Sequence, residues 1–323
     1  MSMSDPSIAE VTSLLKAVGD AIHTIEANPP TAESEKKEER PWDAAVWQKQ
    51  GLGNYTIAQM PVDNLPNGIY NCEHSNGIGY FLSASILKTD KLVGMPNKAA
   101  DRVIVEFDDF WHRKHLFDER GLVHKRGILL WGPPGSGKTS TLNILANKFI
   151  ENFDGVVLIS SDINTTTGCI SMLRRIEPNR PILVTIEDID TAVNGRNEET
   201  FLNLLDGNLQ TNSIMFLATT NYPSRLDKRF TARPSRFDTI LKVGMPDKVC
   251  REFFLREKEK SLTEDELQLW VKKTEGFSVS HLKELIIAVK CLGQDFEFAV
   301  KRLTDMLEPI TNDDFEKRSV GFY

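Results

Sequence analysis

The octapeptide Gly132-Pro133-Pro134-Gly135-Ser136-Gly137-Lys138-Thr139 constrains this chain's fold more than any other stretch. It fits the pattern G-x-x-x-x-G-K-[ST], which works only where a strand runs into a glycine-rich turn and a helix leaves it. The flanks agree. Residues 128–131 are continuously apolar, and a helical pattern runs from Thr139 to about Ile150. Glycines let backbone N–H groups wrap phosphates without a Cβ in the way, and the helix N-terminus adds positive partial charge. Lys138 supplies a point charge to the β- and γ-phosphates, and the Thr139 hydroxyl suits Mg²⁺. A chance match in a Gly/Pro-rich turn is the competing reading, and the strand–helix context argues against it. The expected nucleotide contacts are therefore residues 132–139 and the adjoining Ser140.

Short apolar runs at 127–131, 156–160, 182–186, 214–219 and 239–243 alternate with helical patterns. Continuous apolar strands separated by helices predict a parallel sheet covered on both faces. From about residue 248 the strand signal ends, and helical spacing covers 248–259, 263–273, 279–292 and 295–307. Upstream, 97–119 is helical in spacing. Ser75-Asn76-Gly77 separates Gly68-Ile69-Tyr70-Asn71-Cys72-Glu73 from Gly79-Tyr80-Phe81-Leu82, which predicts a β-hairpin. Residues 6–26 have helical spacing, and the prolines at 29 and 30 followed by TAESEKKEER read as a solvated linker.

The expected fold class is α/β, a P-loop NTPase parallel sheet with a C-terminal α-helical lid and a small N-terminal α+β region. The expected divisions are a helix and linker over 1–40, a β-containing region over 41–95, and the large α/β subdomain over 96–246. A helical lid over 247–310 and a tail over 311–323 complete the chain.

With 39 basic against 46 acidic residues in 323, the net charge is −7, which disfavours a protein that coats nucleic acid. No stretch approaches 18 consecutive apolar residues, and residues 1–20 lack a basic stretch followed by an apolar run. Four scattered cysteines without a CxxC read as free thiols. The expected location is the cytoplasm or another reducing, soluble compartment. His112 and His115 have helical i, i+3 spacing but no third ligand nearby in sequence, so surface or packing roles are preferred.

The strand over 182–186 ends in Glu187-Asp188-Ile189-Asp190. A parallel strand delivers its C-terminal residues to the edge where ligands bind, and carboxylates there can hold Mg²⁺ and orient water. Asp190 reads instead as a cap of the following turn. The strand over 214–219 ends in Thr220-Asn221, where an amide can hold the lytic water or sense the γ-phosphate. Arg233 and Arg236 precede the last strand. An arginine pair is ordinarily a surface ion pair, but it can also stabilise charge on a transferred phosphoryl group.

These elements in this order resemble the AAA family over about residues 97–308. The run from Gly121 to Trp131 is similar to the family's lead-in, where the backbone near Gly121 would meet adenine. Leu226-Asp227 with Arg233-Pro234-Ser235-Arg236-Phe237-Asp238 looks like its double arginine-finger segment. Thr274-Glu275-Gly276-Phe277-Ser278 with Leu282 is similar to the start of its third lid helix. Within the family, Glu187-Asp188-Ile189-Asp190 and the short connection from Ser160 to Arg180 resemble the mitochondrial complex III assembly, or Bcs-like, ATPases. So does Phe201-Leu202-Asn203-Leu204-Leu205-Asp206-Gly207.

The resemblance implies an ATP hydrolase that uses ATP and Mg²⁺. By position Thr139 and Glu187 would take the metal, partly through water, and Asp188 would align the water. The Glu-Asp order, where most members read Asp-Glu, leaves the two carboxylate roles open. Asn221 and the Arg233 and Arg236 of a neighbouring subunit would assist catalysis. It also implies a homo-oligomeric ring, a hexamer or heptamer, that remodels or translocates a protein partner engaged through the N-terminal region. A nucleic-acid loader and an ATP-driven assembly switch are the competing functions. Several positions depart from the family. Residues 162–169 hold no aromatic where threading machines carry one in a pore loop. The segment from Asp227 to Arg233 is one residue longer than usual, and Val279-Ser280 stands where Gly-Ala is common.

Overall fold

The computed structural model describes residues 46–50, 53–58, 64–85, 93–206 and 212–307. The helix and linker expected over 1–40 and the tail over 311–323 lie outside the described residues. Nine strands follow in chain order: β1 Val46–Gln50, β2 Asn54–Ala58, β3 Gly68–Ser75, β4 Gly79–Ser85, β5 Lys125–Trp131, β6 Val156–Ile159, β7 Ile182–Ile186, β8 Ile214–Thr220 and β9 Thr239–Lys242. They form one sheet in the order β1-β2-β4-β3-β6-β7-β8-β5-β9. From β3 to β9 neighbouring strands are parallel, as the apolar runs predict.

Every residue of β7 and β8 is buried. Alternate side chains feed two cores, because successive residues of a strand point to opposite faces. On one face Leu129, Leu158, Val184 and Phe216 join residues of α4 (Ile163–Ile176) and α6 (Glu198–Asp206). On the other, Ile128, Leu130, Val157, Leu183 and Leu217 pack with α1 (Lys98–His112) and α3 (Lys138–Asn152). The helix expected over 97–119 breaks at Arg113 into α1 and α2 (Lys114–Asp118). Two short helices, α5 (Ile189–Ala192) and α7 (Lys228–Thr231), follow β7 and β8.

The lid has its own core. Phe254, Trp270, Phe277 and Leu282 meet where α8 (Lys248–Lys258), α9 (Glu264–Lys273), α10 (Val279–Ile286) and α11 (Phe296–Asp305) converge. Each helix begins on a side-chain cap, at Asp247, Thr263, Ser278 and Asp295. A π-turn, Ile287–Cys291, extends α10.

One feature differs from expectation. The N-terminal hairpin forms as predicted, with Ser75 opposite Gly79, but it is part of the nucleotide-domain sheet. β3 pairs with β6 in parallel, Gly68 to Val156 through Asn71 to Ile159. Residues 162–169, which hold no aromatic, open a helix. β6 ends at Ile159 and α4 begins at Ile163, with Asp162 as its cap, accepting from the Thr165 N–H at 2.7 Å. These residues form a cap and two helical turns, with Ile163, Thr166 and Cys169 buried. They make no projecting loop.

His124, just before β5, is fully buried, and its ring stacks on Phe110 with centroids 3.9 Å apart. Its Nε2–H donates to the Phe110 carbonyl at 2.9 Å, and its Nδ1 has no partner among the described residues. Burial holds its pKa below the usual histidine value. The unfolded chain therefore binds the extra proton first, and folding stability falls as pH drops through about 6.5. Between about pH 7.5 and 5.5 the melting temperature should fall. In His124→Phe, which keeps the stack without a titrating ring, the slope should be flatter. Identical slopes in the two proteins would refute the assignment.

Candidate nucleotide site

The parallel order sets β7, β8 and β5 side by side, so their C-terminal ends share one edge. The phosphate loop leaves β5 there, and the Gly132 N–H donates to Thr220 O at the end of β8. Gly135 and Gly137 have φ of 72° and 100°, left-handed backbone that a side chain would strain. They turn the chain into α3, whose first residues are Lys138 and Thr139.

Lys138 is 6% exposed, and its ammonium donates to Gly132 O, Pro133 O and Asn221 Oδ1 at 2.9, 2.9 and 2.7 Å. Burial lowers its pKa, and the Asp188 carboxylate acts in the opposite sense. Asn221 then donates from Nδ2 to Asp188 Oδ1 at 3.1 Å. Asp188 sits at φ 45°, uncommon for a residue with a side chain, and its N–H donates to Thr219 Oγ1 at 3.2 Å. Glu187 faces the other way and accepts from the Thr139 hydroxyl at 2.6 Å. The two neighbouring carboxylates thus serve different partners. Glu187 joins the hydroxyl suited to a cation, and Asp188 joins the strand-end amide.

Pro134, Gly135, Gly137, Lys138, Thr139, Ser140, Asp188, Thr219, Asn221, Val279 and Ser280 line a cleft of about 250 Å³. The lid closes one side of it, with the Val279 N–H donating to Gly135 O at 3.0 Å. A hydroxyl and a carboxylate beside a phosphate cradle suit Mg²⁺, which is commonly bound by one or two carboxylates plus substrate phosphates. Among the described residues no cluster of three His, Cys, Asp or Glu side chains forms a metal cage. Asp190 is outside the cleft, and it does not cap the turn as expected, because it lies inside α5 and Asp188 holds the N-cap position. The Asp190 side chain accepts from the Thr220 hydroxyl at 2.5 Å and lies 3.7 Å from Arg225.

A narrow apolar groove meets the loop's other flank. Val93, Gly94, Met95, Ile104 and Val243 face Ser136, Gly137 and Thr141 there. The stretch before α1 is tied to the lid, since the Cys250 thiol donates to Pro96 O at 3.2 Å. Nothing in the sequence distinguishes Val93-Gly94-Met95 from any short extended stretch.

Gly121 is not at the site, contrary to the sequence expectation. It precedes the N-terminal end of β5, whereas the phosphate loop follows the C-terminal end, and seven extended residues span about 23 Å. Arg233 and Arg236 do not line the cleft and differ sharply from each other. Arg233's side chain is 69% exposed and lies 3.9 Å from Asp206. Arg236 is buried. Its Nε and one terminal nitrogen each donate to Asp206 at 2.8 Å, and the other donates to Arg229 O. That bidentate bond raises the arginine's pKa and lowers the aspartate's. Within its own chain, then, the donors of Arg236 are committed to Asp206 and Arg229, whereas Arg233 is open. Sequence reasoning did not single out Asp206 for this role, as it lies 30 residues away with no local signal.

Residues 128–245 match the profile of the ATPase family associated with various cellular activities (AAA). Over 162 residues the chain is 36% identical to the probable mitochondrial chaperone bcs1 of Schizosaccharomyces pombe, covering 46% of this chain and 35% of that relative. It is 29% identical over 244 residues to ATP-dependent zinc metalloprotease FtsH 1 of Petrotoga mobilis, covering 63% and 36%. It is also 29% identical over 187 residues to the cell division cycle protein 48 homolog of Archaeoglobus fulgidus, covering 53% and 25%. The chain thus spans about a third of these relatives' length or less.

A phosphate loop after one buried strand and a carboxylate pair after another define a P-loop nucleotide-binding fold. Within that class, residues 128–245 are similar to the AAA ATPase family, and a helical lid follows them. Among the described residues no helix is long and apolar enough to cross a membrane.

Lys138→Ala should weaken binding of a fluorescent ATP analogue about 100-fold, the loss of charge-assisted bonds worth about 3 kcal/mol. Undiminished binding in a folded variant would remove Lys138 from the site.

Proposed function

We propose that this chain forms a homo-oligomeric ring, a hexamer or heptamer, and couples ATP hydrolysis to remodelling a protein partner. The observation that carries this reading is the contrast within one segment. Arg236 locks the segment to Asp206, and Arg233 extends from it into solvent. An anchored arginine of this kind suits insertion into a neighbouring subunit's cleft, where it would stabilise charge developing on the phosphoryl group. The S. pombe relative's description as a probable chaperone supports a protein partner.

In this reading the loop N–H groups and Lys138 bind the nucleotide phosphates, and the apolar groove at Val93 and Met95 receives the base. Thr139 and Glu187 would hold Mg²⁺, which would supply charge neutralisation at the phosphates. Asp188 accepts a proton from the attacking water, and Asn221 fixes the position of that carboxylate. Val279 and Ser280 carry the state of the cleft to the lid through the Gly135 contact.

The helical conformation of residues 162–169 favours action on a partner without threading through a narrow pore. It also suits a second reading, an ATP-driven assembly switch with slow turnover.

Arg233→Ala should keep nucleotide binding and melting temperature but lose turnover by about 10³-fold, the usual worth of such an arginine. Mixing it with Lys138→Ala subunits should restore some activity, because one mutant supplies the cleft and the other the arginine. No restoration in mixed assemblies would sink the inter-subunit role. Arg236→Ala should instead lower folding stability by about 3 kcal/mol, since it strands the Asp206 charge, as read by denaturant melts.

A further inference from the structure

A second cleft lies away from the nucleotide, between the β3–β4 hairpin and α4. Its volume is about 460 Å³, and Ile78, Tyr80, Gly168, Ser171, Met172 and Arg175 line it. β3 runs four residues past the end of β6, about 13 Å of extended chain. This overhang is fastened to α4, because the Cys169 thiol faces the Glu73 and Phe81 carbonyls at 3.8 and 3.6 Å.

The walls are built rather than incidental. A Cβ on Gly168 would meet the Tyr80 ring at 2.4 Å, so only glycine lets the ring lie on the helix. Glycine inside a helix costs about 1 kcal/mol relative to alanine. The His74 ring backs Tyr80 at 4.9 Å between centroids. Even so, Tyr80 remains 41% and Ile78 49% exposed. Opposite them, Gly168, Ser171, Met172 and Arg175 fall at i, i+3, i+4 and i+7, one stripe of α4.

The charge in this cleft has a definite sign. Arg174 is buried and donates to the carbonyls of Arg180, Asn212 and Ser213. Arg180 pairs with Glu177. Arg175 is exposed and has no hydrogen bond or ion pair among the described residues. An apolar, aromatic-walled cleft with one open guanidinium complements an apolar side chain beside a carboxylate. A nucleic-acid strand would want several cations, and the chain's net charge of −7 opposes it.

The geometry points to this cleft as the docking site for an acidic peptide segment of a protein partner, seating an apolar side chain between Tyr80 and Met172 with a carboxylate on Arg175. The inference rests on the reading of this chain as a machine with a protein partner, and it is tested without nucleotide so that the two fail separately.

The full-length chain is titrated, by fluorescence anisotropy, into labelled peptides carrying one Phe flanked by Glu, one Phe flanked by Lys, or one Ser flanked by Glu. The Glu-flanked Phe peptide should bind at least about tenfold more tightly than either control. Arg175→Glu should abolish that preference, and Ser171→Trp, which fills the cleft from an exposed position, should weaken all binding. Both variants should retain the parent's basal ATPase rate. Equal binding of the three peptides, or unchanged affinity in both variants, would overturn the proposal. So would a change of oligomeric state in Arg175→Glu, since the cleft would then belong to a contact between copies of this chain.

Discussion

The chemistry of this molecule depends on three parallel strands lying next to one another. With β7, β8 and β5 adjacent and pointing the same way, the chain ends that carry Glu187, Asp188, Asn221 and the phosphate loop gather on one edge. The Lys138–Asn221–Asp188 chain of hydrogen bonds then joins segments far apart in sequence. Reordering the strands would keep every motif intact and separate its parts. The burial of β7 and β8 on both faces holds that order rigidly, because a shift of either strand would open both cores.

Those core strands were legible in the sequence for the same reason. A strand covered on both faces must be continuously apolar, and four such runs are visible between 127 and 219, with a fifth, 239–243, forming the partly exposed edge strand β9. The lid helices were legible through their spacing and caps. The pairing of β3 with β6 was not, since the choice of partner is made by residues about 88 positions apart. Local pattern showed the hairpin and said nothing about where it would dock.

Distance along the chain misleads at two places near the site for physical reasons. Gly121 is near the phosphate loop in sequence but lies at the opposite end of the strand, and extended chain converts few residues into a long distance. Arg233 and Arg236 look equivalent in sequence. Asp206 separates them, because a bidentate carboxylate commits one guanidinium and only grazes the other. Ser235, between the two, has φ of 82°, and Lys125 donates to its carbonyl at 2.9 Å. The segment is thus held in a fixed bend by contacts on both sides of that residue.

The continuous sheet has a mechanical consequence. A pull on the N-terminal hairpins along their strands would pass from β3 to β6 and from β6 to β7, the strand that ends in the two carboxylates. Parallel strands drawn past one another load their cross-strand hydrogen bonds together, in shear, rather than peeling them apart one at a time. The hairpins and the nucleotide edge therefore behave as a single stiff plate. Displacement at one margin reaches the other with little slack, and the compliant joints are left to the lid and to the turns at the sheet's ends.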